Sequence, residues 1–248
     1  MKRMIKKVLK PVVRHAERTF NIQVTRIPPK LSLYREQRPT TLSNVEVLQD
    51  PQFRDAVAAA LPYTILDTPR LANLWQLARE AEPGAMLELG VFRGGSSMLL
   101  SRAAPERRLI AADTFESFGD IPIDDQQDKA FFKDQFVQTN FENVASRLKS
   151  FCNDCHILKG YFPASDVDHI VKDIAFAHID FDLYESTIQS LSYLVSRCTP
   201  NAVFVLDDFR RSAGGVDRAV AEFIQTNRQW RSFPMYPGQG ILFRSGTA

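Results

Sequence analysis

From Ala85 onward, short apolar runs alternate with longer amphipathic stretches, and this alternation constrains the fold more than any other feature of the chain. Ala85–Leu89, Leu109–Ala112, His156–Lys159, Ile174–Ile179 and Ala202–Leu206 are each the length of a buried strand. Between or around them Gly94–Ala104, Gln126–Phe136, Glu142–Lys149, Tyr184–Arg197 and Gly215–Asn227 have helical spacing. Strand–helix alternation of this kind predicts a parallel sheet with helices on both faces. Trp230–Met235 and Gly240–Phe243, separated by Tyr236-Pro-Gly-Gln239, predict a closing antiparallel hairpin. Two further helices precede the sheet, Pro51–Leu61 and Thr68–Ala81, the second opening on Thr68-Pro69 as N-cap and first-turn proline.

Two of the strand-like runs end in acids. Ile174–Ala177 leads into His178-Ile-Asp-Phe-Asp182, and Ala202–Leu206 into Asp207-Asp208. Strands that stop on carboxylates converge oxygen ligands at the carboxyl edge of a sheet, where open α/β sheets hold their ligands. Oxygen-only clusters suit a hard cation such as Mg²⁺. Asp207 and Asp208 are neighbours, so both can be ligands only if the chain has already turned. Asp182 projects to the side of Asp180 if the chain stays extended there. The competing reading is local capping of the helix at Tyr184 and a solvated turn after Leu206. His178 shares a strand face with Asp180, either beside the metal or as a satisfied core histidine.

The first strand runs into a tight turn and a helix start, Met86-Leu-Glu-Leu-Gly-Val-Phe-Arg-Gly-Gly-Ser-Ser97. Gly90 lets the chain turn, Gly94-Gly95 lets backbone approach a ligand, and Ser96 or Ser97 offers a hydroxyl at the helix N-terminus. Counted from Gly90, the dinucleotide fingerprint has Phe92 at its second glycine position, which speaks against NAD. Glu88 suits a cationic group such as the ammonium of an amino acid. Asp113, ending the second strand, is placed to accept hydrogen bonds from ribose hydroxyls. An amino-acid head beside one strand end and a ribose beside the next describe S-adenosylmethionine.

Composition narrows the rest. Hydrophobic residues make up 44% and charged residues 24%, ordinary for a globular protein, and the formal charge of +2 gives no case for nucleic acid. Charge is uneven, however: residues 1–30 hold nine Lys and Arg against the single acid Glu17. Residues 3–20 place apolar side chains at helical spacing opposite these bases. They predict a basic arm over residues 1–50, with residues 1–20 as a peripheral membrane contact or a dimer contact; a homo-oligomer is expected. Residues 25–51 are polar and proline-broken, a linker or cover, and residues 51–248 form the main domain. Three cysteines, Cys152, Cys155 and Cys198, make no disulfide framework and read as half-buried thiols rather than a metal pair. With no secretory signal pattern and no membrane-length apolar run, a cytoplasmic location is expected.

Four stretches, Leu87-Glu-Leu-Gly-Val-Phe-Arg-Gly-Gly-Ser-Ser97, Asp113-Thr-Phe-Glu-Ser-Phe118, His178-Ile-Asp-Phe-Asp-Leu-Tyr-Glu-Ser-Thr187 and Val205-Leu-Asp-Asp-Phe209, stand in order and at suitable spacing. Together they resemble the macrocin/mycinamicin O-methyltransferase family over about residues 60–245, leaving out the basic arm. The resemblance implies a class I methyltransferase, Rossmann-like fold with a mostly parallel seven-stranded sheet, an antiparallel C-terminal edge and a helical N-terminal extension. It implies S-adenosylmethionine and Mg²⁺ as cofactors and a sugar hydroxyl of a glycan, glycolipid or glycosylated metabolite as acceptor. Asp180, Asp207 and Asp208 match the family's metal ligands, and Asp182, with Asp180, its catalytic position. The base is Asp182 or an upstream histidine, His156 or His169. Glu88, Gly90, Phe92, Gly94, Ser96, Ser97, Asp113, Thr114, Phe115 and Asp180 are the expected donor contacts, and the stretch from Tyr63 to Asp67 resembles a segment that closes over the cofactor. Phe115–Phe118 with Ile121–Ile123 would wall the adenine, and Asp124, Asp125 and Asp128 read as solvated surface. Two alternatives stay open: a catechol-type methyltransferase, against which Leu183 stands where that type usually has lysine, and a silent scaffold on the same fold.

Overall fold

The computed structural model describes residues 46–116, 128, 139–163, 167–209 and 215–245, all within one compact unit, Glu46–Ala248. Seven strands form one sheet: β1 (Ala85–Leu89), β2 (Leu109–Asp113), β3 (Cys155–Lys159), β4 (Ile174–Ile179), β5 (Cys198–Leu206), β6 (Trp230–Met235) and β7 (Gln239–Arg244). Their order is β3-β2-β1-β4-β5-β7-β6, with β1 to β5 parallel and β7 antiparallel to both β5 and β6. The expected parallel sheet and antiparallel edge are both present. β5 starts at Cys198, before the expected Ala202, because Pro200 hid its first residues; its pairing with β4 shifts register between Ile174 and Phe176.

A short helix, α1 (Glu46–Gln49), is followed by α2 (Pro51–Ala60), a single tight turn at Leu61–Tyr63, and α3 (Thr68–Glu80). Asp50 caps α2 and Asp67 caps α3, each accepting a backbone N–H of the first turn, with a proline at each helix start. The cap of α3 is thus Asp67, one residue before the expected Thr68. The remaining helices are α4 (Gly95–Ala103), α5 (Phe141–Phe151), α6 (Tyr184–Leu194) and α7 (Gly215–Thr226).

The central strands β1 and β4 are buried on both faces, and alternate residues serve different layers. Leu87, Leu89, Ala177, Ile179 and Phe204 pack with Leu191 and Leu194 of α6 and Val220 and Phe223 of α7. Met86, Phe176 and Val205 face Leu71, Leu74 and Trp75 of α3 and Leu99 and Leu100 of α4. This parity sends Glu88 and His178 toward the α3/α4 layer. Trp230 closes the edge, stacked on Phe204 at 5.0 Å between ring centres.

Near the far end of α6, Tyr193 donates to Asp168 Oδ1 at 2.5 Å while Arg197 reaches the same oxygen at 2.9 Å and lies over the tyrosine ring. Burial and the bond to Asp168 push the Tyr193 phenol up to about 12. A raised phenol favours the folded state in its neutral form, so this stabilisation is complete below the unfolded value of ~10 and is lost as pH rises toward 12. Urea midpoints at pH 9 and pH 11 should therefore separate more in the wild type than in Tyr193→Phe.

The arm over residues 1–45, the stretch Ser117–Gln127 and most of the expected helix Gln126–Phe136 lie outside the described residues. Among the described residues no helix is long and apolar enough to cross a membrane.

Candidate active site

β1 and β4 lie side by side at the point where strand order reverses, and their carboxyl ends set the site. Asp180 continues β4, its N–H donating to Leu89 O at 2.8 Å, and Asp207 continues β5, its N–H donating to Ile179 O at 3.0 Å. Asp208 follows in the left-handed region at φ 53°. That turn lets two adjacent carboxylates face the same way, the condition the sequence imposed. One oxygen each from Asp180, Asp207 and Asp208 lies within 4.8 Å of the others.

Asp182 also leaves the extended conformation, at φ 62°, so it does not reach the cluster by strand parity. It arrives through the turn and hydrogen-bonds Asp208. The helix start behind it is capped from elsewhere: the Tyr184 N–H donates to Asp128 Oδ1 at 3.2 Å. Asp128, expected on the solvated surface, is fully buried there. Capping of α6 therefore leaves Asp180 and Asp182 for other work.

The electrostatics of the cluster are unfavourable by themselves. Burial, then the charges of Asp207 and Asp208, raise the Asp180 carboxyl well above the usual range; burial, Asp180 and the bond to Asp208 do the same for Asp182. Asp207 is raised by burial against the opposing charge of Arg70. Arg70, from the first turn of α3, forms a buried ion pair with Asp207 Oδ2. The other oxygen, Asp207 Oδ1, is buried and has no hydrogen-bond partner among the described residues. An oxygen-only donor set, an unsatisfied buried acceptor and mutually repelling carboxylates fit a hard divalent cation such as Mg²⁺.

The donor side differs more from expectation. Glu88, expected to face a ligand's ammonium, has no exposed surface. It sits within β1 with its side chain in the α3/α4 layer, where Ser97 donates to Oε2 and His178 Nδ1 lies 2.9 Å from Oε1. Ser97 is likewise buried and spent on Glu88 rather than offered to a cofactor. His178 is therefore tied to Glu88 first, and its Nε2 is buried without a partner among the described residues.

Asp113 holds the turn itself. Its Oδ2 accepts the N–H groups of Val91 and Phe92 at 2.7 and 2.8 Å, and its Oδ1 accepts that of Phe115 at 2.7 Å. A carboxylate offers about four acceptor positions, so about one remains for a ribose hydroxyl. Phe92 and Phe115 are both left-handed, at φ 51° and 55°, held by these bonds. Asp113→Ala would strand three N–H groups. It should weaken S-adenosylhomocysteine binding by at least ~10-fold, the equivalent of one lost charged hydrogen bond, as read by calorimetry.

Gly94 and Gly95 were expected to clear space for a ligand; the space is filled by the chain itself. A Cβ at Gly95 would stand 2.5 Å from Ala60 O and 2.8 Å from Thr64, and one at Gly94 3.2 Å from Val144. Ser96 is buried just behind them, whereas Thr114 is half-buried, its hydroxyl near Glu116. Tyr63 and Thr64, from the stretch expected to cover the cofactor, pack here, with Arg147 3.7 Å over the Tyr63 ring. Gly90 is different: at φ 89°, its missing Cβ would lie 2.1 Å from Asp180 O. The turn after β1 and the end of β4 thus touch backbone to backbone.

Neither candidate histidine joins the cluster. His156 lies on β3, three strands from β4, 3.4 Å from Asp154, and His169 adjoins Asp168, which binds Tyr193 and Arg197 at the end of α6 remote from Tyr184. The three cysteines are half-buried free thiols.

A 3-2-1-4-5-7-6 sheet with a glycine turn after β1 and an acid ending β2 defines a class I, S-adenosylmethionine-dependent methyltransferase. The O-methyltransferase NovP has this fold, with a TM-score of 0.64 and 21% identity over 74% of this chain and 82% of that one. The macrocin O-methyltransferase (TylF) family model matches residues 3–244, and the chain belongs to that family. The match reaches into the basic arm, beyond the span of about residues 60–245 read from the motifs. Among relatives, the 8-demethyl-8-(2,3-dimethoxy-alpha-L-rhamnosyl)-tetracenomycin-C 4'-O-methyltransferase of Streptomyces olivaceus is 24% identical, covering 73% of this chain and 80% of that one. The mycinamicin III 3''-O-methyltransferase of Micromonospora griseorubida is 25% identical, covering 68% and 78%. The protein is an O-methyltransferase that uses S-adenosylmethionine.

Proposed function

We propose that the protein methylates a sugar hydroxyl, on a glycan, glycolipid or glycosylated metabolite, in a Mg²⁺-dependent reaction. The observation that carries this reading is the convergence of Asp180, Asp207 and Asp208 within 4.8 Å, beside a turn whose Gly90 abuts Asp180. The relative named for 4'-O-methylation of a rhamnosyl-tetracenomycin supports the acceptor class, and the one named for 3''-O-methylation of mycinamicin III supports O-methylation of a natural product.

Asp180, Asp207 and Asp208 would hold the ion, which when bound supplies Lewis acidity toward an acceptor hydroxyl. S-adenosylmethionine supplies the electrophilic methyl group. The turn from Gly90 to Gly94, with Phe92, Ser96, Thr114 and Phe115 around it, would seat the donor, and Asp113 would accept from its ribose. Leu89, Gly90 and Asp180, joined by backbone contacts, fix the spacing between donor and acceptor sites, which is the proximity contribution of the chain. Asp182, beside Asp180 and hydrogen-bonded to Asp208, would take the hydroxyl proton as general base. Residues 1–20 would rest on an anionic membrane surface, bringing the enzyme to lipid-linked or polysaccharide acceptors.

The test is release of S-adenosylhomocysteine from the full chain with sugar-bearing acceptors and catechols, each with Mg²⁺ or with EDTA. Turnover with a glycosylated acceptor that EDTA stops is the expected result. Turnover only with catechols, or undiminished by EDTA, would sink it.

A further inference from the structure

No motif of the sequence marks Arg70, yet its guanidinium meets the acid cluster in a buried ion pair with Asp207. Arg70 is 7% exposed, deep in the α3/α4 layer. Its groups are all directed: Nη1 to Asp207 Oδ2, Nη2 to Ile65 O at 3.3 Å, and Nε toward Asp67 Oδ1 at 3.4 Å. Asp67 also caps α3 by accepting the Arg70 N–H at 3.1 Å. The guanidinium is thus held from two sides, by Ile65 O and Asp67 Oδ1, where it meets Asp207, 137 residues away in the chain.

A carboxylate at a strand end can turn about two side-chain torsions, and a metal ligand must present one oxygen in one direction. Here Oδ2 is claimed by Arg70, while Oδ1 is buried without a partner among the described residues, in a group whose oxygens lie within 4.8 Å of those of Asp180 and Asp208. Arginine suits this task because its planar fork binds two acceptors at once and its charge survives burial. We propose that Arg70 is the positioning residue of the metal site, anchoring Asp207 through Oδ2 so that Oδ1 is presented with Asp180 and Asp208 to a divalent cation. It contributes no ligand atom and takes no proton.

The inference rests on the divalent-ion reading of the cluster, and the experiment separates the two. Mn²⁺ is titrated into the full-length wild type, Arg70→Met and Arg70→Lys, with free ion followed by electron paramagnetic resonance. S-adenosylhomocysteine affinity without metal is measured in parallel as a control for the fold. Removal of a group that orients a metal ligand typically lowers affinity 10- to 100-fold. Arg70→Met should weaken Mn²⁺ by about that factor, with S-adenosylhomocysteine binding unchanged. Arg70→Lys, which keeps the charge but not the planar fork, should recover part of the loss. If the methionine variant does not fold, Arg70→Gln replaces it with the same expectations.

Unchanged or tighter Mn²⁺ binding in the methionine variant would overturn the inference, the latter by making Arg70 a competitor of the ion. Equal losses of Mn²⁺ and S-adenosylhomocysteine, or no recovery with lysine, would reduce Arg70 to a packing residue. Absence of saturable Mn²⁺ binding in the wild type would instead refute the metal site itself.

Discussion

Asp180→Asn is expected to lower kcat/KM by on the order of 10³-fold, equivalent to about 4 kcal/mol of transition-state stabilisation, while leaving S-adenosylhomocysteine bound. The substitution removes charge without changing shape, and the N–H of residue 180 still donates to Leu89 O, so strand pairing survives. What is lost is a carboxylate that shares its surroundings with Asp207 and Asp208. Because burial, and then the charges of Asp207 and Asp208, raise the Asp180 carboxyl, the asparagine variant should also remove a buried acid and its repulsion and unfold at a slightly higher urea concentration. Lower activity together with equal or higher stability is the signature of a site built for function against its own electrostatics. Kinetics and urea melts on one preparation measure both. A variant that keeps wild-type turnover would remove Asp180 from the chemistry.

The second large effect is at Gly90. Its φ of 89° is costly for any side chain, and the added Cβ of Gly90→Ala would lie 2.1 Å from Asp180 O, which belongs to backbone and cannot swing away. The loss of stability should exceed the ~1–2 kcal/mol of a left-handed alanine alone. β1 and β4 must part at their carboxyl ends for the methyl group to fit, and that movement disturbs both halves of the site. Gly90→Ala should therefore weaken S-adenosylhomocysteine and Mg²⁺ together, in contrast to Asp180→Asn, which affects the metal side alone. Calorimetric titration of each ligand into each variant distinguishes the patterns. Loss of one ligand only from the glycine variant would show that donor turn and metal strand are not mechanically joined.

Most of the sheet was legible because its strands are short apolar runs, and nothing else buries on both faces at that length. The acid cluster was legible for a related reason: a carboxylate directly after Ile179 or Leu206 has to emerge at the strand's end. The convergence of Asp207 and Asp208 required a turn that the residues demand but do not display, and φ 53° at Asp208 supplies it. Three features were not legible. Glu88 has the same place in the motif whether it faces a ligand or the interior, and only the opposing His178 and Ser97 decide. Gly94 and Gly95 suit a ligand or a neighbouring helix equally well as a sequence, and α5 and the turn after α2 fill that space. Arg70 and Asp128 act across 137 and 56 residues, where no local pattern carries information.

The most direct measurement is diffraction from crystals grown with S-adenosylhomocysteine and Mn²⁺, locating the ion by its anomalous signal. The expected result is one ion at bonding distance, ~2 Å, from oxygens of Asp180, Asp207 and Asp208, with the donor's ribose on Asp113 and its sulfur facing the ion. An ion bound elsewhere, or a donor seated away from the Gly90 turn, would contradict it.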